Sequence, residues 1–285
     1  MTGAWIREAL AGPTYAAWRL VRALSAGATG LRIVVLHATP DESLTALDRL
    51  IVAVKRNHET LTPDQAAAQI ANGTAGRRPT CLFSFDDGFA SNHRAARDVL
   101  ARHGVKALFF VCPGLIDLDG SVQRSRIIET VFEGHAERMP ADGRLMTWAE
   151  LAELKAWGHV VAAHGSTHRR LSEIAGRERE QEVVGSGDAI ATRLGGSVEW
   201  FAFPFGDIES ISAEALAVVG RRYRLCRSGV RGVNGQTVDR LAVLAEPVDL
   251  AMPVAYQRLA VEGGLDFKHA DARRRLAALA RTARR

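Results

Sequence analysis

From Leu31 to Leu244 the chain alternates short, apolar, β-branched runs with longer amphipathic ones, and that alternation restricts the fold to an α/β layer or barrel. Residues 31–36, 81–85, 106–112, 160–163, 199–203, 223–226 and 241–244 read as strands. Between them, residues 42–54, 92–102, 148–157, 177–194 and 213–219 read as helices, with Gly104, Gly158 and Gly195 as stops. Thr147, three residues before Glu150, has the form of a capping box. Residues 69–79 read as a polar connection, and 113–146 as a long insertion with a helix near 126–132. No repeat or low-complexity linker divides the 285 residues, and 47% hydrophobic content is enough for one large core.

The flanks are more basic. Net charge is +5, with Arg273, Arg274, Arg275, Arg281, Arg284 and Arg285 crowding the end of the chain. This reads as a solvated, Arg-rich terminal helix, with peripheral contact to an anionic membrane as the sharper alternative. No aromatic residues interleave with the basic ones, so a nucleic-acid platform is not expected. The apolar N-terminal stretch from Trp5 to Leu24 is broken by Arg7, Glu8, Arg19 and Arg22, unlike a cleaved signal or a membrane span. Cys81, Cys112 and Cys226 are odd in number and lack metal-type spacing, so they read as reduced, packed thiols. Together these features lead to the expectation of a cytoplasmic chain, with association at a membrane face as the alternative.

Chemistry collects in three loops that follow strands. Asp86-Asp87-Gly88 comes directly after the run ending at Phe85. Two adjacent carboxylates repel, and become useful when one binds a cation and the other accepts a proton. His164 and His168 bracket Gly165-Ser166-Thr167 after the 160–163 strand, a spacing that lets two imidazoles meet one metal. Asp87, His164 and His168 thus compose a two-His, one-carboxylate set that leaves room for water or substrate. Taken singly, each motif also fits a plain Asp-Gly turn or two unrelated surface histidines. The third loop, Pro204-Phe205-Gly206, offers a rigid apolar wall for a sugar ring or an acetyl methyl, whereas Phe201 and Phe203 read as core.

In order and spacing, Ser84-Phe85-Asp86-Asp87-Gly88, His164-Gly165-Ser166-Thr167-His168 and Phe201-Ala202-Phe203-Pro204-Phe205-Gly206 resemble the motifs of the polysaccharide deacetylases, the NodB-homology group of carbohydrate esterase family four. Residues 106–111 and 145–158 are similar to two further segments of that family. The resemblance spans about 31–244. It implies a distorted (β/α)7 barrel, with the site at the strands' carboxyl ends. The reading is one such domain over 31–265, with helical extensions at 1–30 and 266–285.

The resemblance also implies roles: Asp87, His164 and His168 as ligands of one divalent metal, most commonly Zn2+, Asp86 as base, and the Phe205 N–H as a donor to the oxyanion. The implied enzyme is a hydrolase of linear amides that removes N-acetyl groups from an N-acetylhexosamine in a polysaccharide, oligosaccharide or glycolipid. A different carbon–nitrogen hydrolase, such as a deformylase or cyclic amide hydrolase, and a non-catalytic glycan-binding relative are the alternatives. The family's late Leu-x-His acid has no counterpart near the C-terminus. Val35-Leu36-His37, at the end of the first strand, has the right local form, and a closed barrel would make first and last strands neighbours. His37 is therefore expected as the acid. Ala202 stands where many members carry an arginine, which leaves Asp86 without the usual partner, and the family's Asp-Trp pair has no match.

Overall fold

A computed structural model of the chain describes residues 11–19, 29–73 and 78–284. The expected N-terminal extension lies outside the described residues, except for a helix over 11–19. Eight parallel strands form one sheet: β1 (Leu31–Leu36), β2 (Glu59–Thr60), β3 (Thr80–Phe85), β4 (Ala107–Val111), β5 (Val160–Ala163), β6 (Trp200–Ala202), β7 (Leu225–Arg227) and β8 (Glu246–Pro247). The order is β7-β6-β5-β4-β3-β1-β8, with β2 added beside the start of β3. Val243 bridges in parallel to Arg227, and three residues on Glu246 pairs with Val34. One short segment thus touches both the last and the first long strands and curls the sheet into a distorted (β/α)7 barrel of a single domain.

Strands buried on both faces read as unbroken apolar runs, and the period of two then divides them between two cores. Val34, Leu36, Phe83, Phe85, Phe109 and Phe201 point outward, against helical residues such as Leu47, Leu50 and Ile51. Leu31, Ile33, Val35, Leu82, Leu108, Phe110, Ala162 and Trp200 point inward and fill the barrel. The helix Pro63–Asn72 adds Ala66, Ala67 and Ile70 to that inner core, so residues 69–72 of the expected polar connection are helical. Its N-cap, Thr62, accepts from the Gln65 N–H while Gln65 answers the Thr62 N–H.

Other elements follow the sequence closely. Helix Leu44–Asn57 begins after a short turn, and Thr147 with Glu150 caps Trp148–Ala156 as its spacing indicates. Residues 90–103 and 176–194 are helical throughout, each with one π-type turn. The insertion carries helices Pro113–Ile116 and Gly120–Thr130, the second starting six residues earlier than expected. Residues 241–244 contribute only the single bridge at Val243, and the pairing to β1 falls later, at β8.

The terminal helix Ala270–Thr282 buries Leu276 and Ala280 in the outer core. Its arginines are held by the protein itself. Arg275 pairs with Glu209 at 2.7 Å, Arg274 with Asp271 at 3.0 Å, and the nearby Arg284 with Asp239. At the closure of the barrel, the fully buried Glu246 takes Arg32 at 3.3 Å and also Arg231, while Arg32 reaches Asp266 at 2.7 Å. No helix among the described residues is long and apolar enough to cross a membrane.

His159 joins two neighbouring strands. Its Nδ1 accepts from the Ala107 N–H at 3.1 Å, which requires a neutral ring, and burial with nearby Lys106 lowers its pKa to about 4. The unfolded chain, with an ordinary histidine near 6.5, therefore binds more protons between those values. Stability should fall as pH drops from about 6.5 toward 4, and His159→Gln should flatten part of that slope. Urea midpoints at a series of pH values check this; parallel slopes in both proteins would count against it.

Candidate metal centre and active site

The inward parity of each strand carries on into the loop that follows it. Ser84 points inward on β3 and donates to the Val34 carbonyl at 3.0 Å, and Asp86 comes two residues later. Ala162 points inward on β5, and His164 follows at the same spacing, its N–H tied to the Val111 carbonyl at 3.0 Å. Leu225 and Arg227 take the inward places on β7. Asp86, Asp87, His164, His168 and Arg227 consequently meet, all buried, at the carboxyl end of the barrel.

The Nε2 atoms of His164 and His168 each lie 3.5 Å from Oδ1 of Asp87. One donor atom from each of these three residues lies within 4.8 Å of the other two. On the far side of each ring, Nδ1 faces a backbone carbonyl: Ala202 at 2.9 Å for His164 and Thr130 at 3.1 Å for His168. A carbonyl can only accept, so each Nδ1 carries the proton and each Nε2 lone pair is left facing Asp87. Holding an imidazole by its second nitrogen in this way is how metal-binding histidines are oriented. The donor set fits a divalent cation.

The charges respond to the enclosure. Burial alone would raise the Asp87 pKa, yet the surrounding His164, His37 and His168 hold it well below the usual carboxylate range. Burial and the His164 charge lower His168 to about 4. His164 is displaced the other way: burial opposes protonation, and Asp86 and Asp87 together overcome it.

Asp86 does have a cationic partner. The Nη2 of Arg227 lies 2.7 and 2.5 Å from its two carboxylate oxygens, and the guanidinium stacks 4.8 Å from the Phe110 ring centroid. Arg227 is the register partner of Ala202 in the sheet. The cation expected beside Asp86 has thus moved one strand over at the same level, a contact that no motif spacing could disclose.

Glu182 is a second residue that the sequence did not single out. Its carboxylate accepts from the N–H groups of Ser166 and Thr167 at 2.9 and 3.0 Å and from the Thr167 hydroxyl at 2.5 Å, fixing the loop between the two histidines. A Cβ on Gly165, where φ is +75°, would come within 3.0 Å of Glu182 and 3.2 Å of Pro204. This accounts for glycine there.

A cavity of about 520 Å3 opens over the cluster, with His37, Phe205, Gly206 and the insertion residues Phe132, Glu133 and Arg138 on its walls. His37 is exposed at the end of β1. Pro204 is packed behind the wall against Gly165, whereas Phe203 belongs to the outer core and also reaches the cavity. The Phe205 ring sits 4.7 Å from His168 and 4.2 Å from the Arg170 guanidinium, which is held by Glu133 at 3.0 Å and Asp207 at 3.1 Å. Among the described residues, the non-glycine positions with left-handed backbone are Asp87, Glu133, His168 and Phe205, and every one lines this cavity. Such conformations are disfavoured outside glycine and gather at sites that the surrounding structure enforces.

A curled parallel barrel with its polar cluster at the strands' carboxyl ends defines a class of barrel enzymes. Residues 73–223, just over half the chain, match the polysaccharide deacetylase family model, and the chain belongs to that family. Among solved structures, it is similar to the Streptococcus pyogenes deacetylase PplD in complex with acetate, with a TM-score of 0.64 and 17% identity over 82% of this chain and 99% of that one. It is also similar to IcaB from Ammonifex degensii, with a TM-score of 0.61 and 19% identity over 81% of this chain and 98% of that one. At these identities the likeness establishes the fold. YxkH of Bacillus subtilis (strain 168), named for the same family, is 20% identical over 163 residues, or 57% of this chain; the match spans half of that protein's length.

Glu182→Ala would leave the buried Ser166 and Thr167 donors unpaired and should destabilise the fold by about 3 kcal/mol. Glu182→Gln, which keeps acceptor capacity, should lose less. Chemical denaturation of the two variants checks this, and midpoints equal to wild type would remove Glu182 from its role.

Proposed function

We propose that the chain is a metal-dependent amide hydrolase that removes the N-acetyl group from an N-acetylhexosamine unit. The observation that carries the reading is the pair of Nδ1–carbonyl hydrogen bonds, which turn both histidine Nε2 atoms toward Asp87 with Asp86 alongside. Asp87, His164 and His168 would hold the cation, and their two nitrogens and one carboxylate suit zinc. When bound, such a cation acts as a Lewis acid, which makes water more acidic and polarises a carbonyl.

The chain's own groups divide the remaining work. Asp86, held by Arg227 through its carboxylate, is placed to take a proton from the attacking water. The Phe205 N–H is the expected donor to the oxygen that gains charge as the acetyl carbonyl is attacked. Phe205 and Phe203 give the acetyl methyl an apolar surround, and the insertion covers the opposite wall. His37 reaches the same cavity from β1 and would return a proton to the leaving nitrogen, so that the amine departs neutral.

Two measurements test this. Chelated protein should lose acetate release from chito-oligosaccharides and regain it with Zn2+, and His164→Ala should fail to retain metal. Turnover that persists without metal would point instead to another carbon–nitrogen hydrolase on this fold, and binding without turnover to a glycan-binding relative. Separately, His37→Ala should lower kcat by about 10²-fold with metal content unchanged. Unchanged kcat would place the acid elsewhere.

A further inference from the structure

A second cavity, of about 550 Å3, lies on the other side of His37. It shares His37, Ala38, Pro140 and Pro247 with the catalytic cavity, so the two are lobes of one cleft. Its size is that of a ligand site. Its lining is chiefly aliphatic, including Leu36, Pro40, Val248, Leu250 and Met252, with Tyr256 as its one aromatic ring.

Most polar groups in the lobe are already engaged by the chain. Arg231 is held by Glu246, the Gln257 amide N–H groups donate to the Leu250 and Met252 carbonyls, and Asp249 accepts from the Ala251 N–H. Further sugar units would need aromatic faces and available hydrogen-bonding groups. An aliphatic chain needs neither, and gains from leaving water.

The junction of the lobes is cationic. Three arginines line the catalytic lobe, of which Arg227 holds Asp86 and Arg170 holds Glu133 and Asp207. Arg138 pairs with no carboxylate among the described residues. It stands two residues before Pro140, which lines both lobes.

Resting on the deacetylase reading above, we infer that the substrate is a lipid-linked acetamido sugar. The sugar lies at Asp86 and Asp87, an anionic phosphate ester lies near Arg138 and His37, and the aliphatic chain occupies the lobe lined by Leu250 and Met252. Each methylene taken from water is worth about fourfold in affinity, so a chain only partly seated gives a large preference.

The test compares dodecyl and methyl phosphate esters of N-acetylglucosamine, below the micelle-forming concentration, with chito-oligosaccharides. Acetate release from the metal-loaded protein should show kcat/KM at least about tenfold higher for the dodecyl ester than for the methyl ester. Met252→Asp should bring that ratio close to one, and Arg138→Gln should narrow the preference for phosphate esters over neutral alkyl glycosides. Equal kcat/KM for both chain lengths, or a rise with the number of sugars instead, would overturn the inference and leave a polymer cleft. If none of these substrates released acetate, the deacetylase reading would fail separately. Calorimetric affinities of the dodecyl and methyl esters would then decide the lobe alone, with equal values defeating it.

Discussion

Two carboxylates at the mouth of an apolar barrel are unfavourable unless each is compensated, because burial removes the water that would otherwise stabilise their charge. The site is arranged around that requirement. Asp86 is compensated within the fold by Arg227, whose own charge is buried between Asp86 and the face of Phe110. Asp87 has two imidazoles in place of a guanidinium, and both keep Nδ1 committed to carbonyls. The same enclosure thus makes one carboxylate a positioned acceptor of protons and leaves the other suited to a cation. Adjacent residues with the same side chain differ in chemistry because parity and neighbours differ.

Strand parity explains how much of this could be read from residues alone. Apolar runs bounded by Gly, Pro and polar loops define the long strands, and every motif residue comes directly after one of them. The expected barrel and the convergence of Asp87, His164 and His168 therefore follow from local pattern. Arg227 does not, because nothing near it in sequence says that its register partner is Ala202. Glu182 looked like one of several acidic residues on an amphipathic helix until the histidine loop was folded over it. The terminal arginines raise the net charge of the chain, yet Glu209, Asp239 and Asp271 hold three of them. Composition reports such charges and omits their partners. At the last strand the pattern misplaces the pairing, since closure is made by a β-bridge at Val243 and the two residues of β8.

The left-handed residues show where the fold bears local strain. Asp tolerates this region better than most side chains, whereas His, Glu and Phe gain little locally from it. Asp87 at the end of β3, Glu133 in the insertion, His168 and Phe205 come from four separate segments, and all face one cavity. Each turn directs a side chain inward that regular backbone would carry past the opening. Flanking glycines at 88, 134 and 206 also adopt positive φ, so the chain reverses without a second side chain in the way.

These segments are also joined across the site. Glu133 holds Arg170, Arg170 lies over Phe205, and Phe205 packs against His168, whose Nδ1 returns to the insertion at Thr130. The contacts make a closed ring running from insertion to wall to ligand histidine and back. Displacing the insertion would loosen the Thr130 carbonyl and the Arg170–Phe205 stack together, and with them the orientation of the His168 ring. The insertion is therefore both the cover that faces a substrate and part of the support that keeps one donor nitrogen aimed at Asp87. Changes that alter what the cavity admits act on the same contacts that hold the ligand set.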